Sequence, residues 1–155
     1  MKQTIIKQHR RTRGTALVLV LGMTTLLVTL GIAATQIARG ELKKNTLEQD
    51  QADARIAAQY TLDYMHKALD GSTSWRSGAG NGTWKYFASL DGAWIFYSYV
   101  DEIDGDMSND GTQPFVLYSL AVKGNSKRAY RVELIPDESG NLKRNDASFE
   151  QVVFE

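Results

Sequence analysis

The chain has 155 residues, room for one compact domain with an extension, and no cysteine, which excludes disulfide staples, thiolate metal sites and cysteine nucleophiles. Its net charge of zero conceals a split: Lys2, Lys7, Arg10, Arg11 and Arg13 give residues 1–14 a charge of +5, whereas from Thr15 onward 13 Lys and Arg face 18 Asp and Glu. A body with that excess of acid repels phosphates, so general nucleic-acid binding is excluded, and the basic leader is matched instead to anionic membrane lipid.

Residues 15–38 run for 24 positions without a charge. As a helix they extend about 36 Å, enough to cross a hydrocarbon core of about 30 Å. A domain of this size has no interior that swallows such a helix on every side, so the segment reads as a transmembrane helix. Five cations precede it, and after it Arg39 is balanced by Glu41. The positive-inside rule then places the N-terminus in the cytoplasm and the rest of the chain in a periplasmic or extracellular space. Three fates compete for the segment. A secretory signal cut near Gly31-Ile32-Ala33 is disfavoured by the length of the apolar run, since signal cores span about 7–15 residues. A plain signal anchor and a processed leader remain.

The junction Arg10-Arg11-Thr12-Arg13-Gly14, followed by Thr15-Ala16-Leu17-Val18-Leu19-Val20-Leu21, resembles the start of type IV pilin-like proteins. It looks most like minor pilins of the PilX type and the K-type minor pseudopilin of type II secretion. The resemblance covers roughly residues 10–70 and implies cleavage by a prepilin peptidase between Gly14 and Thr15. It further implies assembly with other pilin-like subunits through the N-terminal helix, and anchorage in the inner (cytoplasmic) membrane. The family's major subunits carry a glutamate at the fifth mature residue, where this chain has Leu19 and no acid before Glu41. That departure suits a minor or tip subunit with nothing stacked above it; it equally suits an uncleaved single-pass anchor.

Beyond Arg39 the pattern turns amphipathic. Leu47, Gln51, Ala54, Ala58, Thr61, Met65 and Ala68 step by three or four, widened by Leu62 and Leu69. Residues 41–70 hold neither Pro nor Gly, and Gly71 stands where a C-cap glycine belongs. One helix from Thr15 therefore runs about 55 residues, with its second half on the chain's own sheet and Gly40 as the place where it could part. His66, with Asp63 and Asp70 on neighbouring turns, reads as a solvated residue more readily than as a metal ligand.

Residues 71–83 form a Gly/Ser-rich loop, and residues 84–155 a β head with strand-like runs at 84–89, 94–100, 114–123, 129–135 and 151–154. A turn over 123–127 makes 114–135 a hairpin, and Tyr130, Val132 and Leu134 alternate with Arg131 and Glu133 to bury one face. The fold class is α+β: a long N-terminal helix, apolar and then amphipathic, packed on an antiparallel sheet of four or five strands. Residues 101–111 hold five carboxylates, a supply of hard oxygen ligands. If calcium binds, Asp104, Asp106 and Asp110 are the ligands, but the spacing departs from the EF-hand template, and Asp, Asn and Gly are ordinary turn formers. No nucleophile-elbow, P-loop or zinc-protease motif occurs, so no catalytic or cofactor-binding residue is assigned and the chain reads as a structural protein, not an enzyme. Trp75, Trp84, Tyr86 and Phe87 serve either strand packing or a carbohydrate or partner surface. The reading that follows is a minor pilin-like or pseudopilin-like subunit of a type IV pilus or type II secretion filament. Its alternative is an uncleaved single-pass protein with an extracytoplasmic interaction domain.

Overall fold

A computed structural model describes residues 3–71, 74–108 and 111–153, with side chains from Gly14 onward. Its elements are α1 (Gln3–Leu69), a single 3-10 turn (Arg76–Gly78), and the strands β1 (Lys85–Leu90), β2 (Ala93–Val100), β3 (Phe115–Lys123), β4 (Ser126–Pro136) and β5 (Leu142–Val152). The chain divides into two compact units, Met1–Asn45 and Thr46–Glu155.

In the first unit α1 begins at Gln3, so the backbone of the basic leader is helical from that residue onward. The reason is local: Lys, Gln, Arg and Ile are adequate helix formers, and no Gly or Pro precedes Gly14. Gly40 also lies within the helix.

In the second unit the five strands form one antiparallel sheet in the order β1-β2-β3-β4-β5, and the link between β2 and β3 is the long acidic loop 101–114. The hairpin over 114–135 forms as the turn residues require, with Lys123 opposite Ser126 and Gly124 at φ +53. A Cβ at Gly124 would sit 2.6 Å from the Asp50 carboxylate oxygen on the helix, so that side chain would have to turn aside.

Residues 54–69 of α1 cover one face of the sheet. Ala54, Ala57, Ala58, Thr61, Leu62, Met65 and Leu69 are buried. Ile95, Leu117, Val132 and Leu134 meet them from the inward positions of β2, β3 and β4. Leu47 and Ala68, placed on the same stripe by spacing, are exposed. Ion pairs fasten the rim: Lys123 holds Asp53, and Arg144 holds Asp63 at 2.6 Å. The helix ends where Gly71, at φ +76, donates its amide to the Gly140 carbonyl.

One aromatic group anchors the far end of the core. Phe115 is fully buried with Tyr99 at 6.2 Å and Trp75 at 4.9 Å between ring centres, and the buried Arg76 guanidinium lies 5.0 Å above it. Arg76 also donates to the Gln113 carbonyl at 2.6 Å. Burial, reinforced by Tyr97, pushes the Tyr99 phenol well above its ordinary range.

The last strand departs from expectation. A short strand at 151–154 is replaced by an eleven-residue β5 that starts at Leu142. Its sequence, LKRNDASFEQV, has no clean alternation because it is an edge strand, wet on its open side. A register shift between Arg131 and Glu133 further breaks the period.

Candidate functional site

The span is exposed on all sides. Leu17, Val18, Leu19, Met23, Leu27 and Leu30 each leave between 59% and 72% of their surface uncovered, so no apolar residue in this stretch is hidden in a protein core. The helix contains a window of mean hydropathy 2.4 with none of it buried, and by length and composition it can cross a membrane. Four of its threonines are satisfied within the helix. The hydroxyls of Thr24, Thr25, Thr29 and Thr35 donate to carbonyls three or four residues back, at 2.8 to 3.1 Å. A threonine bonded in this way presents its methyl group outward and asks nothing of the surroundings. Around Gly22 the side chains of Leu19, Met23, Leu26 and Leu27 frame a shallow apolar depression.

Gly14 and Thr15, the residues of the implied cleavage, both lie in helical conformation and are exposed, and nothing lies within 4 Å of a Cβ built on Gly14. The side chains of the leader cations fall outside the described residues.

In the head, the three residues around His66 share one structural task. His66 Nε2 donates to the Leu142 carbonyl at 2.8 Å, the Leu142 amide donates to Asp70 Oδ1 at 2.7 Å, and Arg144 donates to Asp63 Oδ1 at 2.6 Å. Together they fasten the start of β5 to the helix, which accounts for all three without a metal.

The acidic loop after β2 turns its carboxylates onto its own backbone. Asp101 is buried, and its Oδ1 accepts from the amides of Ile103 at 2.8 Å and Asp104 at 3.4 Å. Asp104 Oδ1 accepts from the Asp106 amide at 2.8 Å, and Asp106 Oδ1 from both the amide and the hydroxyl of Ser108. The Ser108 hydroxyl and amide hold the Asp106 carboxyl below its ordinary range. Asp110 lies outside the described residues. Among the described residues no three His, Cys, Asp or Glu side chains converge on a point that a metal ion would occupy.

The sheet divides the four aromatics that the sequence grouped together. Trp75 and Phe87 join the core, whereas Trp84 and Tyr86 belong to the opposite face with Trp94, Phe96 and Tyr118. Tyr118 and Trp94 were not singled out from sequence, although strict alternation along β2 and β3 is the signal that finds them. On the helix side, an open cleft lies between residues 48–59 and the strands β4 and β5, with Tyr130 and Phe149 stacked 5.4 Å apart and Arg55 and Arg128 at its edges.

Comparison with protein-family models, with curated proteins and with solved structures gives no match.

Proposed function

We propose that the chain is a minor pilin-like or pseudopilin-like subunit, anchored in the inner membrane with its N-terminus in the cytoplasm and its β head outside. The observation that carries this reading is the apolar stretch of the helix: it follows directly on a basic leader ending in Gly14, and its side chains are exposed all round through Leu30 and beyond. A helix that hides nothing inside its own protein needs either lipid or other helices against it. The same α1 carries the alanine-lined face that covers the sheet. One element that serves both as membrane segment and as the backbone of the head is what assembly through an N-terminal helix uses. In this reading Gly14 marks the cut, Thr15 becomes the processed end, and the span joins a bundle of neighbouring subunits' helices, while the head caps or primes the assembly.

The alternative, an uncleaved single-pass anchor, is equally suited by Leu19 at the position where the family's major subunits carry glutamate. A photo-crosslinking residue at Leu26, exposed and mid-span, separates the two. Filament membership predicts crosslinks to other subunits' apolar helices in the native membrane. A crosslinker that recovers lipid alone contradicts it.

A further inference from the structure

On the helix side of the sheet, one part of the packing stays open. The cleft between residues 48–59 of α1 and the strands β4 and β5 has a volume of about 540 Å³, within the range of about 300–1,000 Å³ that ligand sites occupy. Ala52 on its helix wall is too short to fill it. Its floor is the Tyr130–Phe149 pair, two rings 5.4 Å apart and within 4° of parallel.

Three polar groups in this cleft lack the partners their chemistry asks for. Tyr130 is only 5% exposed, yet its hydroxyl has no hydrogen-bond partner among the described residues. A hydroxyl so enclosed costs free energy until something bonds to it. Arg55, on the helix wall, makes neither a hydrogen bond nor an ion pair among the described residues. Arg128, on β4, donates to the Gln51 side chain at 2.9 Å and to the Lys127 carbonyl at 3.3 Å, both neutral acceptors. The bond to Gln51 ties its guanidinium to the helix wall and so holds it at the cleft before any ligand arrives. The two glutamates of the lining do not answer these arginines. Glu150 is paired with Arg131, and Glu48 is likewise not free.

We propose that the cleft binds an organic carboxylate. The carboxylate is taken by the guanidinium groups of Arg55 and Arg128 with the Tyr130 hydroxyl, and the apolar body lies on the Tyr130–Phe149 rings. Unpaired guanidinium forks select an oxyanion, since an uncharged ligand leaves both arginines unmatched. The flat ring floor selects an apolar or planar body, which a bare inorganic anion lacks. From Thr15 onward the chain holds 18 acids against 13 bases, a field that opposes a doubly charged phosphate more than a single carboxylate. Two sources present this chemistry: a free small acid, and the C-terminal carboxylate of a peptide that ends in an aromatic residue. The proposal is independent of whether the leader is cleaved or a filament forms.

The test uses the full chain in nanodiscs of zwitterionic lipid, titrated calorimetrically with four probes and with inorganic phosphate. The probes are 3-phenylpropionate, the peptide acetyl-Gly-Gly-Phe with a free C-terminus, and the amide of each. Saturable binding of at least one acid is expected, about tenfold or more tighter than its amide and weakened by added salt. Binding of 3-phenylpropionate marks a site for small acids, and binding of the peptide acid alone marks a site for chain ends. Arg55→Gln and Arg128→Gln each lower the affinity about tenfold, as loss of a charge-assisted contact requires. Tyr130→Phe keeps the stacked ring and lowers it about fivefold. Lys143→Gln, near the other end of β5, leaves it unchanged. Arg55 is exposed and bonded to nothing among the described residues, so its variant separates binding from folding, which circular dichroism checks. Absence of binding by both acids overturns the proposal. So does an amide or phosphate that binds as tightly as the acids, or an affinity that both arginine variants leave unchanged.

Discussion

Phe115→Ala will destabilise the head by about 3–5 kcal/mol, the cost of removing a large ring from a site that cannot collapse. Phe115 is buried to 1% exposure, and three groups with little freedom to follow it pack on its ring: Trp75, Tyr99 and the Arg76 guanidinium. Arg76 makes the loss worse, because the ring that shields its charge disappears while its bond to the Gln113 carbonyl keeps it in place. Domains of this size hold about 5–15 kcal/mol in total, so the variant stands close to the folding limit. Urea unfolding of the full chain in detergent, followed by tryptophan emission, measures it. A midpoint shift equivalent to less than about 1 kcal/mol would mean that the aromatic cluster does not hold this end of the core.

The second large effect concerns the span. Leu26 and Leu27 lie near the middle of the uncharged stretch, and both are more than half exposed. Replacing both with arginine moves each position from slightly favourable to strongly unfavourable in hydrocarbon, a swing of about 3 kcal/mol or more per site on insertion scales. The double variant is expected to leave the alkaline-washed membrane pellet, while Leu47→Arg, on the head part of the helix, stays in it. If the double arginine variant remains fully in the pellet, residues 15–38 are not what holds the chain in the membrane.

The parts of this fold that were legible are those where one physical requirement dominates. An uncharged run long enough to cross a bilayer has few other uses, and the alternation Tyr130, Val132, Leu134 against Arg131, Glu133 describes a strand buried on one side, which is how β4 lies. The Gly124 turn is legible because its left-handed backbone, at φ +53, favours glycine. Strand β5 was hidden by its own environment. Lys143, Asp146, Glu150 and Gln151 face water, so hydrophobicity could not mark the strand that backbone pairing with β4 creates. The helix stripe extends past the packed face at its N-terminal end, where Leu47 is exposed, since spacing shows which residues share a face but not how far a sheet extends beneath it.

The candidate sites divide along the same line. Gly14 and Thr15 belong to a local sequence pattern, and both are helical and exposed. The aromatics of the outer face do not, because Trp84 and Trp94 are brought together only by the pairing of β1 with β2. Composition showed the aromatics; only register sorted Trp75 and Phe87 into the core and left Trp84, Tyr86 and Trp94 outside it.

The central claim is that the leader ends at Gly14 and the mature protein begins on the apolar helix. Intact mass and N-terminal sequencing of the chain purified from its own membrane test it most directly. A protein that begins at Thr15, with the fourteen leader residues removed, is the predicted result. A protein that still begins at Met1 would contradict the pilin-like reading and leave a single-pass anchor that presents its head to a partner.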